Sequence, residues 1–267
     1  MNNPVFFCII KKKEGEYMKV TRLRPWVLII IGVILLSGFI YYSYEVILWY
    51  KHVNENQEIQ EKLEEKININ IEESKYEIDF KALKEMNPDT VAYLKVNNTN
   101  INYVVVKGED NSYYLNHNFE KKWNIAGWIF GDFRNHFDGT DKNLIIYGHS
   151  TKNGSMFDTL TNILKEEWYT NKENHIVTLV TEQGTFEYQV FSTYTVTPEI
   201  YYITTSFNDD NTFESFAREL KSRSIYDYGV EVTSEDKMLT LSSCVGEGNK
   251  RVVLHAKLIK EEENDRD

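Results

Sequence analysis

The sequence predicts a mainly β protein. The expected fold is a closed barrel of about eight strands, with an N-terminal helical segment and a helix inserted before the last two strands. One transmembrane helix precedes it all. Three observations predict this. Short runs rich in Val, Ile, Tyr and Phe recur at 91–96, 101–106, 127–131, 143–148, 175–181, 185–196, 238–243 and 251–259. A single late helical pattern, "NTFESFARELKSR" at 211–223, puts Phe213, Phe216 and Leu220 on one face. Many short strands with so little helix are best satisfied by closing the sheet on itself, which leaves no free edge.

The elements follow in chain order. Residues 1–25 are read as a cytoplasmic tail carrying Lys11, Lys12, Lys13, Lys19, Arg22 and Arg24 against Glu14 and Glu16, a charge of +4. "MKVTRLR" at 18–24 already has the form of a start, so Met18 is the expected initiator. Residues 26–48 are the expected transmembrane anchor. From Trp26 to Tyr44 there is no charge, and a bilayer needs about 20 apolar residues in a helix. Trp26, Tyr41, Tyr42 and Tyr44 sit at the two ends, where amphipathic rings favour the interface. The basic flank precedes the apolar run, so the N-terminus stays inside and the rest lies outside the cell membrane. No small-residue cleavage pattern follows, which favours an uncleaved, single-pass anchor.

Residues 49–86 are read as a helical stalk or N-terminal helices, from the spacing of Ile59, Leu63 and Ile67 among many charges. "NPDT" at 87–90 stops that helix and turns into the barrel, expected over 87–260. A charged tail fills 261–267.

Charge excludes one class of partner. With −11 overall and +4 on the first 25 residues, −15 falls on the remainder. A nucleic-acid ligand needs a basic surface, so none is expected. No P-loop, GxGxxG, CxxC or HExxH occurs, and the scattered histidines form no metal site; no cofactor and no metal are expected.

Two cysteines remain, Cys8 on the inner side and Cys244 outside. An odd cysteine in an exported domain is either an intermolecular bridge or a reactive thiol. A thiol reacts as thiolate, and an imidazole or guanidinium beside it helps that form. His149 ends the apolar run "NLIIYGHS" at a polar turn, which places it at a barrel rim. His255 alternates with Val253 in "RVVLHAKLI" and reads as structural. Cys244 ends "KMLTLSSC", and Arg251 opens the next strand after a short loop, so the two face each other. Lys250 falls on the opposite face. Taken alone, a cysteine capping a strand beside a surface arginine would look the same.

"TLSSC" with an arginine at the next strand, and "IIYGHS" about a hundred residues upstream, resemble the signature of the sortases, the cysteine transpeptidases of Gram-positive cell surfaces. "NPDTVAYLKVNNTNINYVVVKGEDNSYYLNHNFEKKWNIAGWIF" and the late helix resemble class B in particular, over roughly 85–260. Ser243 stands where Thr is usual, and its small hydroxyl predicts little effect.

The resemblance implies a catalytic three. Cys244 attacks the carbonyl carbon of a Thr in an NPxT-like C-terminal sorting signal, giving a thioester. Arg251 steadies the oxyanion, and His149 passes the proton. The implied partners are sorting-signal-bearing surface proteins and the amine of a peptidoglycan precursor of the lipid II type. Ser242, two residues before the nucleophile, shares its face. "YYIT" at 201–204 resembles the class B segment lining the groove, which makes Tyr202 and Ile203 substrate contacts. "NPDT" itself looks like a sorting signal, but no apolar stretch and basic tail follow it. Rival readings are a pilin-polymerising sortase, a catalytically silent signal-binding protein and a plain cysteine protease.

Overall fold

The computed structural model describes residues 24–70, 75–151, 153–245 and 250–263. The tail through residue 23, with Cys8 and the Met18 start, lies outside the described residues. The chain divides into two compact units, one ending at Leu48 and one beginning at Trp49.

Helix α1 (Pro25–Glu64) begins in the first unit and opens with a proline at its first position, where no backbone N–H is needed. Its apolar residues up to Ile47 are largely exposed, Leu35 at 68% and Phe39 at 70%. Among the described residues this is the one helix long and apolar enough to cross a membrane.

In the second unit, α1 buries Val53, Asn56, Ile59, Gln60 and Leu63, a stripe at helical spacing. Asn56 Nδ2 donates to the Gly127 carbonyl and Gln60 Nε2 to that of Asn102, both at 2.8 Å. The expected helical stalk is then interrupted by a hairpin, β1 (Ile67–Asn70) and β2 (Lys75–Ile78), before α2 (Phe80–Met86). The alternation in "ININ" wins there. Ile67, Ile69, Tyr76 and Ile78 pack against Phe80, Tyr93 and Val180. "NPDT" is built into the fold. Asn87 is buried, its N–H closes α2 on Leu83 O, and its side chain bonds Tyr114 and Phe119.

The remaining strands are β3 (Thr90–Val96), β4 (Asn102–Val106), β5 (Phe130–Gly131), β6 (Asn143–Gly148), β7 (Ile176–Val180), β8 (Gly184–Val196), β9 (Met238–Val245) and β10 (Lys250–Glu263). Helices α3 (Glu166–Thr170) and α4 (Asp210–Ser222) lie between them. The eight strands close into a barrel in the order β10-β8-β7-β3-β4-β5-β6-β9. Pairs β4–β5 and β6–β9 are parallel and the rest antiparallel.

Two strands differ from expectation. Residues 127–129 are not in β5. Gly127 adopts φ +59°, and a Cβ there would lie 2.4 Å from Tyr114 O, so the chain turns before pairing. The charged tail is partly strand, with Glu261 opposite Phe186 and Glu263 opposite Gly184. Its last four residues lie outside the described ones.

Strand β8 shows how α4 is placed. Its first half alternates buried and half-buried residues, as a strand with one wet face should. From Val190 to Tyr194 it is buried on both faces. There α4 covers it with Phe213, Phe216, Ala217 and Leu220, packed on Phe191, Tyr194 and Val253. Asp209 caps the helix, accepting from Thr212 N at 2.7 Å.

Candidate active site

Three neighbouring strands end together at one rim. The parallel register of β6 and β9 sets Tyr147 opposite Ser242 and Gly148 opposite Ser243. The next residue on each is His149 and Cys244. The antiparallel register of β9 and β10 sets Cys244 opposite Arg251. Residues far apart in sequence thus take adjacent positions because hydrogen-bonded pairing fixes their level.

His149 and Arg251 line a cleft of about 210 Å³. Its lining includes five residues expected from the sequence: His149, Arg251, Ser242, Tyr202 and Ile203. Tyr202 is buried, and its hydroxyl lies 3.0 Å from Ser242 Oγ.

His149 is held from several sides. Gly148 leaves no room for a side chain, since a Cβ would lie 2.5 Å from Ile129 and 2.7 Å from Phe157. Phe157 N donates to His149 O at 2.9 Å, closing the following loop. The ring's Nε2 lies 2.7 Å from Leu115 O. A carbonyl can only accept, so Nε2 carries the proton, and in the neutral ring Nδ1 has the free lone pair. Burial pushes the imidazole pKa down. The Leu115 bond opposes this, and the Arg251 charge adds to the lowering. The shift favours the neutral ring. No described acidic side chain pairs with Arg251.

The structure also supplies residues that the sequence reading missed. Asn111, Leu115, Phe130, Tyr147, Pro198 and Glu199 share the lining. Tyr147 could have been found by strand alternation from His149; Asn111 sits in a polar loop with no such signal. Beneath the cleft lies Asp132, a fully buried carboxylate. It accepts from Tyr147 Oη at 2.8 Å, Asn111 Nδ2 at 2.9 Å, and Arg134 Nε and Nη2 at 2.8 and 2.7 Å. Burial alone would raise its pKa, yet these donors bring it below the ordinary value.

His255 is not part of this rim. It is buried, between Tyr194 Oη and Thr240 Oγ1, each at 2.9 Å. Among the described residues no cluster of three or more His, Cys, Asp or Glu could hold a metal ion.

The arrangement sets His149 and Arg251 on one cleft, with Cys244 opposite Arg251 in the register. Comparison with known proteins shows what the chain resembles. The Sortase domain family matches residues 94–259. A Staphylococcus aureus protein named Sortase B is 33% identical over 238 residues, covering 87% of this chain and 97% of that protein. A Listeria monocytogenes Sortase B is 36% identical over 186 residues, covering 68% and 74%. Among solved structures, sortase B from Bacillus anthracis in complex with AAEK1 superposes with a TM-score of 0.70 at 33% identity, covering 79% of this chain and 99% of that one.

Proposed function

The chain belongs to the sortase family, class B, and on that premise we propose that it is a membrane-anchored cysteine transpeptidase. It cleaves an NPxT-like sorting signal after Thr and joins the released carboxyl end to a peptidoglycan amine. The observation that carries this reading is the register that sets His149, Cys244 and Arg251 at one level of three adjacent strands.

The chemistry follows from the groups. The Cys244 thiol gives its proton to His149 as sulfur attacks the Thr carbonyl carbon. Nδ1 is the nitrogen with a free lone pair, because Nε2–H is engaged by Leu115 O. The tetrahedral oxyanion lies beside the Arg251 guanidinium, whose charge is not spent on a described carboxylate. The imidazolium then protonates the departing amine, leaving a thioester. An incoming amine attacks that thioester and gives its proton to His149, and the thiolate leaves and recovers it. The apolar part of α1 is the anchor, and its basic flank directs the catalytic unit outward.

The test uses residues from 49 onward with quenched fluorescent peptides carrying NPxT-like, SPxTG-like and LPxTG-like signals, with and without an amine acceptor. Cleavage by the wild type, its loss in Cys244→Ala, and an amine-linked product by mass spectrometry are expected. Cleavage with no amine-dependent product makes it a protease. Peptide binding without turnover makes it a signal-binding protein.

A further inference from the structure

The wall of the cleft formed by residues 198–204 has very little structure of its own. Tyr201–Ile203 is one 3-10 turn. Such a turn has poor intrinsic stability and must be held from outside. Ile200 within it is 86% exposed, so burial does not anchor that point.

Its C-terminal end is held by the barrel. Arg134 Nη2 donates to Ile203 O and Asn143 Nδ2 to Thr204 O, both at 2.9 Å. Its N-terminal end is held differently. Glu199 forms an ion pair with Arg223, the residue that ends α4. The same guanidinium bonds Glu219 Oε1 at 3.0 Å and lies 5.1 Å from the Tyr201 ring and 5.9 Å from the Tyr194 ring. Among the described residues Glu199 makes no other side-chain hydrogen bond.

We propose that Arg223 is a positioning residue for the sorting-signal groove, which fixes Glu199 and Tyr201 and so sets the wall presenting Tyr202 and Ile203 to the peptide. This rests on the groove belonging to the transpeptidase reading. A planar fork suits the task. It bonds two carboxylates in its plane while its face covers aromatic rings, which an ammonium cannot do together. Glu199 lines the cleft on one side and meets Arg223 on the other. Helix α4 therefore reaches the wall both through Phe216, whose ring lies 5.3 Å from that of Tyr201, and through Arg223 at its end, which alone among the described residues ties down Glu199.

The test compares full-length wild type with Arg223→Met, Arg223→Lys and Glu199→Gln. Steady-state kinetics use the signal peptide that the wild type cleaves. Arg223→Met is expected to raise KM roughly tenfold with kcat little changed, as for a lost charge-assisted contact that orders a binding surface. Glu199→Gln should raise KM in the same direction, and the double variant should be no worse than Arg223→Met. Arg223→Lys should recover part of the loss. Iodoacetamide modification of Cys244, read by mass spectrometry of its peptide, should keep its wild-type rate in Arg223→Met.

Amide hydrogen exchange supplies a readout that needs no turnover. Exchange over 197–204 should rise in Arg223→Met and Glu199→Gln while β6 and β9 keep theirs. Unchanged exchange there, or wild-type KM in both Arg223→Met and Glu199→Gln, overturns the proposal. A wild type that cleaves nothing removes the transpeptidase reading, and exchange then decides the wall alone. Should Arg223→Met fail to fold, Glu199→Gln and Arg223→Lys carry both measurements.

Discussion

His255 is buried among polar groups that leave its protonation no freedom. Thr240 spends its one hydroxyl proton on Asn143 Oδ1 at 2.7 Å, so it accepts from His255 Nδ1–H. Nε2 then accepts from the Tyr194 hydroxyl. Asn143 continues the chain by donating to Thr204 O. Every partner fits the neutral ring, and a second proton would break the bond that Nε2 accepts from Tyr194. Burial, with the Arg223 charge adding to it, holds its pKa down to about 3, against an ordinary 6.5. Between those values the unfolded chain binds a proton that the folded one refuses. Stability therefore rises with pH across that window and is flat, for this group, above it. Denaturant melts at pH 4–7 should show wild type losing up to about 1.4 kcal/mol per pH unit from this group alone on the acid side. His255→Gln should flatten that limb while costing about 1–3 kcal/mol at neutral pH, since it breaks a buried network. A limb of equal slope in both proteins would refute the assignment. His149 and His175, also lowered chiefly by burial, act in the same direction, so the difference between the two proteins is the quantity to read.

At the scale of elements, β6 must end tightly for His149 to stand where it does. Gly148→Ala would drive a methyl into Ile129 and Phe157. A loss of about 1–3 kcal/mol is expected, as for overpacking in a core. Peptide cleavage should fall further than that stability loss explains, because the methyl displaces the strand end carrying the base. Thermal melts and kcat/KM on the same sample check it. The elements themselves were largely legible. Alternation and β-branched runs marked all eight barrel strands, and the 3.6-residue period marked the face of α4. The hairpin β1–β2 was not legible, because its isoleucines continue a helical spacing set by Ile59 and Leu63. Nor was the shortness of β5, which depends on Gly127 lying against carbonyls from another segment. The site showed the same division. Strand ends gave positions for Cys244, His149 and Arg251. The Asp132 network and the Arg223 contact are tertiary and left no mark in the local pattern.

For the whole molecule, the second unit begins at Trp49, and α1 contributes buried side chains to it from Val53 onward. A chain starting at residue 49 should fold and cleave soluble peptides at the full-length rate. A chain starting at residue 65 loses Val53, Ile59 and Leu63 from the interior and the Asn56 and Gln60 bonds. Its midpoint in urea should fall sharply, since each large apolar side chain removed from a core costs about 2–5 kcal/mol. Equal midpoints would show that α1 beyond Trp49 is dispensable.

The barrel order carries a further consequence, one of timing. Strand β10 is the last in the chain, yet it lies between β8 and β9, and β9 pairs with β6 across some 95 residues of sequence. Contacts so distant in sequence form late, because loop-closure entropy must be overcome first. The seam that brings Cys244, His149 and Arg251 to one level is thus among the last parts of the molecule to exist. A chain still emerging, or one cut before β10, has Cys244 without Arg251 opposite it. On the transpeptidase reading, activity begins only when the last strand is in place.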